Sequence, residues 1–327
     1  MGFLVSVIAG ILPMFLYACL LYFLDRYEKE PLHLLTGVFL WGAVIAAGAA
    51  FLINTLSSMG LYLITQSEFA TQLTLSTLVA PAVEETLKGL AVLIVFLIFR
   101  SEFDSLLDGV IYGAITALGF AATENIWYIH QLGFMENNWQ GLLDLTLIRV
   151  IWVGWQHPFY TSFIGLGFAI SRRSTRKIWK WVTPIIGWLL AVSFHFAHNL
   201  FASLLSTQPG LTLTAIWDWL GYIGLFVLIV LLIHREQRWM KEYLAPEYDQ
   251  KLLSFDQYQT ACSAWRQSKV YLQSRIEGNY YSVRRFYQAC GDLMHKKRQL
   301  SRHSDDSGTA SEISRLKSEL QQLAENY

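Results

Sequence analysis

Apolar residues along this chain gather into long runs separated by short polar stretches. Each run approaches the roughly twenty residues that a helix needs to cross a bilayer core of about 30 Å. Seven runs follow this pattern: Phe3–Leu24, Leu32–Leu56, Leu73–Phe99, Leu106–Ile129, Leu145–Ile170, Trp179–Leu205 and Leu213–Ile233. A chain in lipid must satisfy its own backbone hydrogen bonds, so such runs predict helices. The fold class expected is all-α: a polytopic membrane bundle of about seven transmembrane helices with a cytoplasmic helical C-terminal tail. The first run has no basic residue at its head, and LYFLDRYEKEP at its end lacks the small residues of a cleavage site. It is expected to remain as a span rather than to be removed as a signal peptide.

Composition sharpens this into two regions. Hydrophobic residues make up 54% of the 327 and charged ones only 15%, which points to a membrane protein. The charges are unevenly placed, since residues 1 to 233 hold 10 of the 25 Lys+Arg and 13 of the 25 Asp+Glu. The organisation expected is therefore a transmembrane domain over 1–234, a cytoplasmic or interfacial helical region over 235–300, and a linker with a short amphipathic helix over 301–327. Lys and Arg favour the cytoplasmic side of a membrane. Arg26 and Lys29, Arg100, the group from Arg172 to Lys180, and Arg235, Arg238 and Lys241 all follow odd-numbered runs, whereas Ser57–Gln72, His130–Asp144 and Ser206–Thr212 contain neither residue type. The N-terminus is expected outside and the C-terminus in the cytoplasm. No basic block interleaved with aromatics precedes the tail, so nucleic acid is not an expected partner. Cys19, Cys262 and Cys290 are scattered, with neither disulfide nor metal-binding spacing.

The third run interrupts its own pattern. APAVEETLKGL carries Glu84, Glu85 and Lys88 where each charge costs about 2.5 to 3.5 kcal/mol at the centre of a lipid-embedded helix. Lys88 lies four residues after Glu84 and three after Glu85, so either carboxylate can meet it on one helix face. Local pairing then neutralises one glutamate and leaves the other without a nearby cation. Similar groups recur in other runs: Glu124 and Tyr128, Arg149 and His157, and His195, His198 and Asn199. At about 1.5 Å of rise per residue, Glu84, Glu124, His157 and His195 lie at comparable depth, about 8 to 18 Å below the outer surface. A single buried histidine commonly bonds a carbonyl; ionisable groups on four helices in one layer argue for a site. His195 and Asn199 share a helix face, as do Glu124 and Tyr128, while His198 lies beside the first pair. Pro158 is expected to loosen the helix just after His157. Gly109 and Gly113 are read as packing residues.

The order DRYEKEP, APAVEETLKG, DGVIYGAITALGFAATENIWY, an Arg followed by a His, and then HxxxN resembles the PrsW family of intramembrane proteases. That family is grouped with the CAAX prenyl endopeptidases and the CPBP-type bacteriocin-immunity proteins. The resemblance covers about residues 17–205, and Lys88 stands where the prenyl endopeptidases carry Arg. It implies hydrolysis of a peptide bond in a membrane-anchored protein, with Glu84 as general base helped by His157, and with Glu85 and Lys88 holding and tuning it. His195 and Asn199 would stabilise the oxyanion. Glu124, Tyr128, Arg149 and His198 would support them. It also implies a prokaryotic cell membrane, contact with membrane lipids, and a substrate of the anti-sigma-factor kind in regulated proteolysis or signalling.

Two other readings stay open. Two histidines and a carboxylate make a familiar zinc set, here Glu84, His157 and His195, although no HExxH is present. No cofactor is expected, with zinc as the alternative. Intramembrane Glu, Lys and His also build the ion pathways of transporters, yet the EETLK pattern has no evident repeat in the second half. In the tail, Ser301–Ser311 has the composition of a linker. Ile313, Leu316, Leu320 and Leu323 then recur at helical steps, a stripe that could self-associate.

Overall fold

The computed structural model of the chain describes residues 1–204, 208–302 and 307–325. All regular structure among them is helical: α1 (Gly2–Leu24), α2 (Leu32–Leu40), α3 (Ala47–Thr65), α4 (Glu68–Thr74), α5 (Ala80–Ile98), α6 (Leu106–Trp127), α7 (Met135–Thr146), α8 (Gln156–Arg173), α9 (Lys177–Leu204) and α10 (Gln208–Asp249), then α11 (Phe255–Ala261), α12 (Ala264–Glu277), α13 (Tyr280–Arg302) and α14 (Ser307–Glu325). The expected loop over 206–212 and linker over 301–311 fall partly outside the described residues; their remainders are helical. Two compact units divide the chain. One comprises Met1–Phe23 with Glu30–Ile229, the other Leu24–Lys29 with Val230–Tyr327.

The first unit is built around α6, which is buried from Leu107 to Ala122. Its sequence explains this, because small residues let neighbours approach its backbone. A Cβ added to Gly165 on α8 would meet the Gly109 carbonyl oxygen at 1.8 Å, and one added to Gly119 would meet that of Phe39 at 1.9 Å. Ser105 and Asp108 form a capping box that starts α6. Outward faces are apolar: Leu12 and Leu16 on α1, Leu56 and Leu63 on α3, and Ile185 and Leu189 on α9 are all exposed, as expected of side chains that meet lipid.

Five helical stretches are long and apolar enough to cross a membrane, among the described residues: Gly2–Leu24, Leu32–Thr65, Leu106–Arg173, Lys177–Ser203 and Thr214–Asp249. The sequence pattern gives seven runs, and two physical facts account for the difference. Leu106–Arg173 contains two of those runs in one stretch, and the Leu73–Phe99 run carries three charges that set it apart by composition. The long stretch bends twice. Asn137 and Asn138 leave helical geometry, the latter with φ of 52°, a value asparagine tolerates better than most residues. The chain breaks again at Val153–Trp155, so Pro158 does not loosen a continuous helix as expected from sequence; it sits in the first turn of α8, where its missing N–H is harmless.

Four wide π-helical turns flank α3, α5 and α7 and follow α6, at Trp41–Ala46, Leu75–Val79, Tyr128–Phe134 and Leu147–Trp152. The second has a local cause. Pro81 has no N–H to offer Ser76, and Ala80 N–H bonds Leu75 instead. The Ser76 carbonyl is thereby left for another partner, and π turns of this kind recur at functional sites.

The second unit has its own core, which includes Met240, Leu244, Phe286, Leu293, Leu316 and Leu320. Tyr27 enters that core, and a Cβ on Gly291 would strike its carbonyl oxygen at 1.9 Å. Arg285 donates to Glu319 at 2.6 Å, and the fully buried Glu247 meets Lys297 and Lys317, so ion pairs join α14 to α13 and α10. The Leu316 and Leu320 stripe, expected to offer a face for self-association, is buried within this unit. Burial also pushes the Cys262 thiol up to about 11, which leaves it protonated at neutral pH.

Candidate functional site

Helix α5 presents Glu84, Glu85 and Lys88 on its inward face. Glu85 and Lys88 are 0% exposed and Glu84 7%. The i, i+3 and i, i+4 steps bring Lys88 Nζ to 2.7 Å from Glu85 Oε1 and 3.6 Å from Glu84 Oε2. The ammonium also lies 4.1 Å from the centre of the Phe120 ring and donates to His157 Nδ1 at 3.2 Å. A cation buried this deeply is tolerated only with such partners.

Four further helical segments complete the network. From α9, His195 Nδ1 donates to Glu85 Oε1 at 3.0 Å, and its Nε2 lies 3.9 Å from Glu84 Oε2. From α8, Thr161 Oγ1 donates to Glu85 Oε2 at 2.8 Å, one turn beyond His157 on the same face. His157 Nε2 donates to Glu124 Oε2 on α6 at 3.0 Å. Arg149, in the π turn before α8, donates to the same Glu124 oxygen and to Asn125 Oδ1 at 3.1 Å. Three carboxylates thus face one lysine and one arginine. Glu84 has the weakest hold on a cation, and its buried Oε2 has no hydrogen-bond partner.

The cluster lines a cavity of about 1020 Å³ whose wall includes Asn54, Ser58 and Tyr62 of α3, together with Glu84, Glu124, His157, His195, His198 and Asn199. Seven of the residues singled out from sequence are therefore joined: Glu84, Glu85, Lys88, Glu124, Arg149, His157 and His195. The other three are placed differently. Tyr128 makes a cation–π contact with Arg149 at 4.1 Å, beside Glu124 and not hydrogen-bonded to it among the described residues. Asn199 Nδ2 donates to the Ser76 carbonyl at 2.7 Å, filling the position that Pro81 leaves open. His198 bonds Asp218.

Sequence reasoning passed over Thr161, Phe120, Asn125 and Asp218. Thr161 stands four residues after His157, so helical spacing could have found it. Asp218 is an acid inside an apolar run, the same signal that drew attention to Glu84. Phe120 carries no such mark, because a ring on a buried helix ordinarily reads as packing.

A metal ion can be tested against this donor set. Ligand atoms of Glu84, His157 and His195 lie within 4.8 Å of one another, and all three residues are buried. Each imidazole has a nitrogen on a carboxylate, His195 on Glu85 and His157 on Glu124, the backing that orients metal-binding histidines. With Glu84 Oε2 unbonded, the set fits zinc. Lys88 is the competing cation, since its ammonium already contacts His157 Nδ1.

A family model described as PrsW family intramembrane metalloprotease matches residues 30–233. Protease PrsW of Geobacillus kaustophilus is 25% identical over 222 residues, covering 67% of this chain and 84% of that protein. Protease PrsW of Bacillus subtilis is 27% identical over 223 residues, covering 68% and 88% respectively. Protease PrsW of Clostridioides difficile is 39% identical over 105 residues, which cover 32% of this chain and 42% of that protein. No solved structure is a significant match. The matched span contains every member of the buried network, together with the apolar helices that carry it, and on these grounds the chain belongs to the PrsW family of intramembrane proteases.

Proposed function

We propose that this protein hydrolyses a peptide bond of a membrane-anchored protein and that Glu84 is the general base. The observation that carries this reading is the state of Glu84: the residue lines the cavity, and its buried Oε2 lies 3.6 Å from Lys88 Nζ without a hydrogen bond. A carboxylate so placed can take a proton from water while the water oxygen adds to the scissile carbonyl carbon. Lys88 and Glu85 hold it, His195 bridges the two glutamates, and Glu124 with Arg149 orients His157. His195 and Asn199 are the proposed oxyanion donors. The substrate proposed is a single-span protein of the anti-sigma-factor kind. Its identification rests on membrane proteomics of wild type against Glu84→Ala, in which one such protein should accumulate uncut; unchanged proteomes would count against the proposal.

A zinc-dependent form of the same reaction is the second reading, favoured by the convergence of Glu84, His157 and His195. Bound there, zinc would supply a Lewis acid and a more acidic water. Purified protein in liposomes should keep its cleavage activity after thorough chelation if Glu84 acts alone. Loss on chelation with recovery on adding zinc would establish the metal-dependent form.

Seven crossings with the N-terminus outside are proposed from the distribution of basic residues. Single cysteines at Gln66 and Thr175, in a background lacking Cys19, Cys262 and Cys290, should label differently with an impermeant thiol reagent on intact cells. Labelling is expected at 66 only, and the reverse would overturn the orientation.

A further inference from the structure

Asp218 lies within the apolar part of α10, and its side chain is only 1% exposed. Both carboxylate oxygens accept from His198 Nδ1, each at 2.9 Å. A buried carboxylate inside a membrane helix is costly enough that its partner identifies its use. Here the partner is a histidine that lines the same cavity as Glu84 and His157. Tyr160 connects the two histidines of α9: its ring stacks on His195 with centroids 5.1 Å apart and lies 6.4 Å from His198. No hydrogen bond to His198 Nε2 is present among the described residues.

The oxyanion donors suggested by family resemblance are already engaged. Asn199 Nδ2 bonds Ser76, while His195 has Nδ1 on Glu85 and Nε2 beside Glu84. His198 differs, since Asp218 fixes one nitrogen and leaves the other for the cavity. This is the geometry by which a carboxylate sets the tautomer and direction of a catalytic imidazole.

We propose that His198, aimed by Asp218, is a further donor to the tetrahedral oxyanion. His198 is then a catalytic residue and Asp218 a positioning residue; the proposal rests on the hydrolase reading given above. In the reacting state both imidazole nitrogens carry protons, Nδ1–H donating to Asp218 and Nε2–H to the carbonyl oxygen as it gains negative charge. No bond to His198 forms or breaks. The water proton goes to Glu84, and the water oxygen adds to the carbonyl carbon.

Two measurements on the full-length protein in liposomes test this. Solid-state nitrogen NMR with labelled histidine, assigned by the signals lost in H198A, should show a doubly protonated His198 ring in wild type and a neutral ring in D218N. The kinetic probe is a quenched fluorescent peptide with one apolar span, selected because wild type cuts it and E84Q does not. H198A should lower kcat about 10²-fold, the loss typical of one oxyanion donor. D218N should lower kcat about tenfold or more with KM within twofold, and D218E should recover part of the loss. The H198A/D218N double variant should be no slower than H198A, because the two residues act as one unit. A neutral His198 ring in wild type, a wild-type kcat in D218N, or losses that multiply in the double variant would each overturn the proposal. A fall in thermal midpoint with no fall in kcat would assign the pair to structure instead. A wild type that cuts no peptide at all would sink the hydrolase reading and this proposal with it, whereas an active enzyme indifferent to D218N sinks only the proposal.

Discussion

Glu84→Gln should reduce cleavage by at least about 10² to 10⁴-fold, the range that general-base catalysis supplies. Glutamine matches the size of glutamate and keeps hydrogen-bonding capacity but cannot accept the proton of water. Little else should change, because Oε2 makes no hydrogen bond and the strongest partner of Lys88 is Glu85. Substrate binding and the thermal midpoint should stay close to wild type. Glu85→Gln should behave differently: its oxygens accept from Lys88, His195 and Thr161, so that change acts on the framework around the base. The decisive measurement is single-turnover cleavage in liposomes beside a binding assay for the same peptide. Near-normal cleavage by well-folded Glu84→Gln would sink the assignment of the base. An ion pathway built on the same charges predicts another pattern: no cleavage by any variant, and a proton or solute flux in wild type that the substitution abolishes.

Lys88→Met should be the most destabilising single change in the buried network. Methionine fills a similar volume against Phe120 but removes the cation at the centre of the cluster, leaving Glu85 buried and negatively charged. Breaking a buried pair by deleting one partner costs about 3 to 5 kcal/mol, because the other charge remains uncompensated. Removing both charges should cost much less, so the Lys88→Met/Glu85→Gln double variant should regain most of the lost midpoint. Unfolding of each variant in a mild detergent, followed by tryptophan fluorescence, checks this. A midpoint for Lys88→Met equal to that of wild type would mean that the ammonium does not hold the cluster together.

The parts of this site that could be read from sequence are those where charge conflicts with lipid. Glu84, Glu85 and Lys88 stand out because an apolar run has no cheap place for them, and their spacing already dictates that one lysine meets both acids. Convergence was suggested as well by the matching positions of Glu124, His157 and His195 along their runs, and the structure joins these residues through Lys88 and Glu85. What spacing along single helices does not contain is the rotation of each helix about its axis. That is why the partners of Asn199 and His198, a backbone carbonyl of α5's preceding turn and an acid on α10, could not be foreseen. The bend at Asn137–Asn138 falls in the polar stretch His130–Asp144 between two runs, where the chain was expected to turn, and there Gly133 and Gly141 nearly touch. The break at Val153–Trp155 was hidden, because the apolar run Leu145–Ile170 continues through it.

The wide turn at Leu75–Val79 also fixes the direction in which the following helix faces. In an α-helix successive side chains are separated by about 100° around the axis, so a turn that accommodates one extra residue advances everything after it by about that angle. Glu84, Glu85 and Lys88 owe their inward bearing to that single added residue, and Leu97 its outward one. Deleting one residue between Leu75 and Val79 would leave the length and hydrophobicity of the segment almost unaltered while swinging its acids away from the histidines of α8 and α9. The handful of residues before the acidic pair therefore acts as an angular setting, and insertions or deletions there should be far less tolerated than substitutions of the same residues.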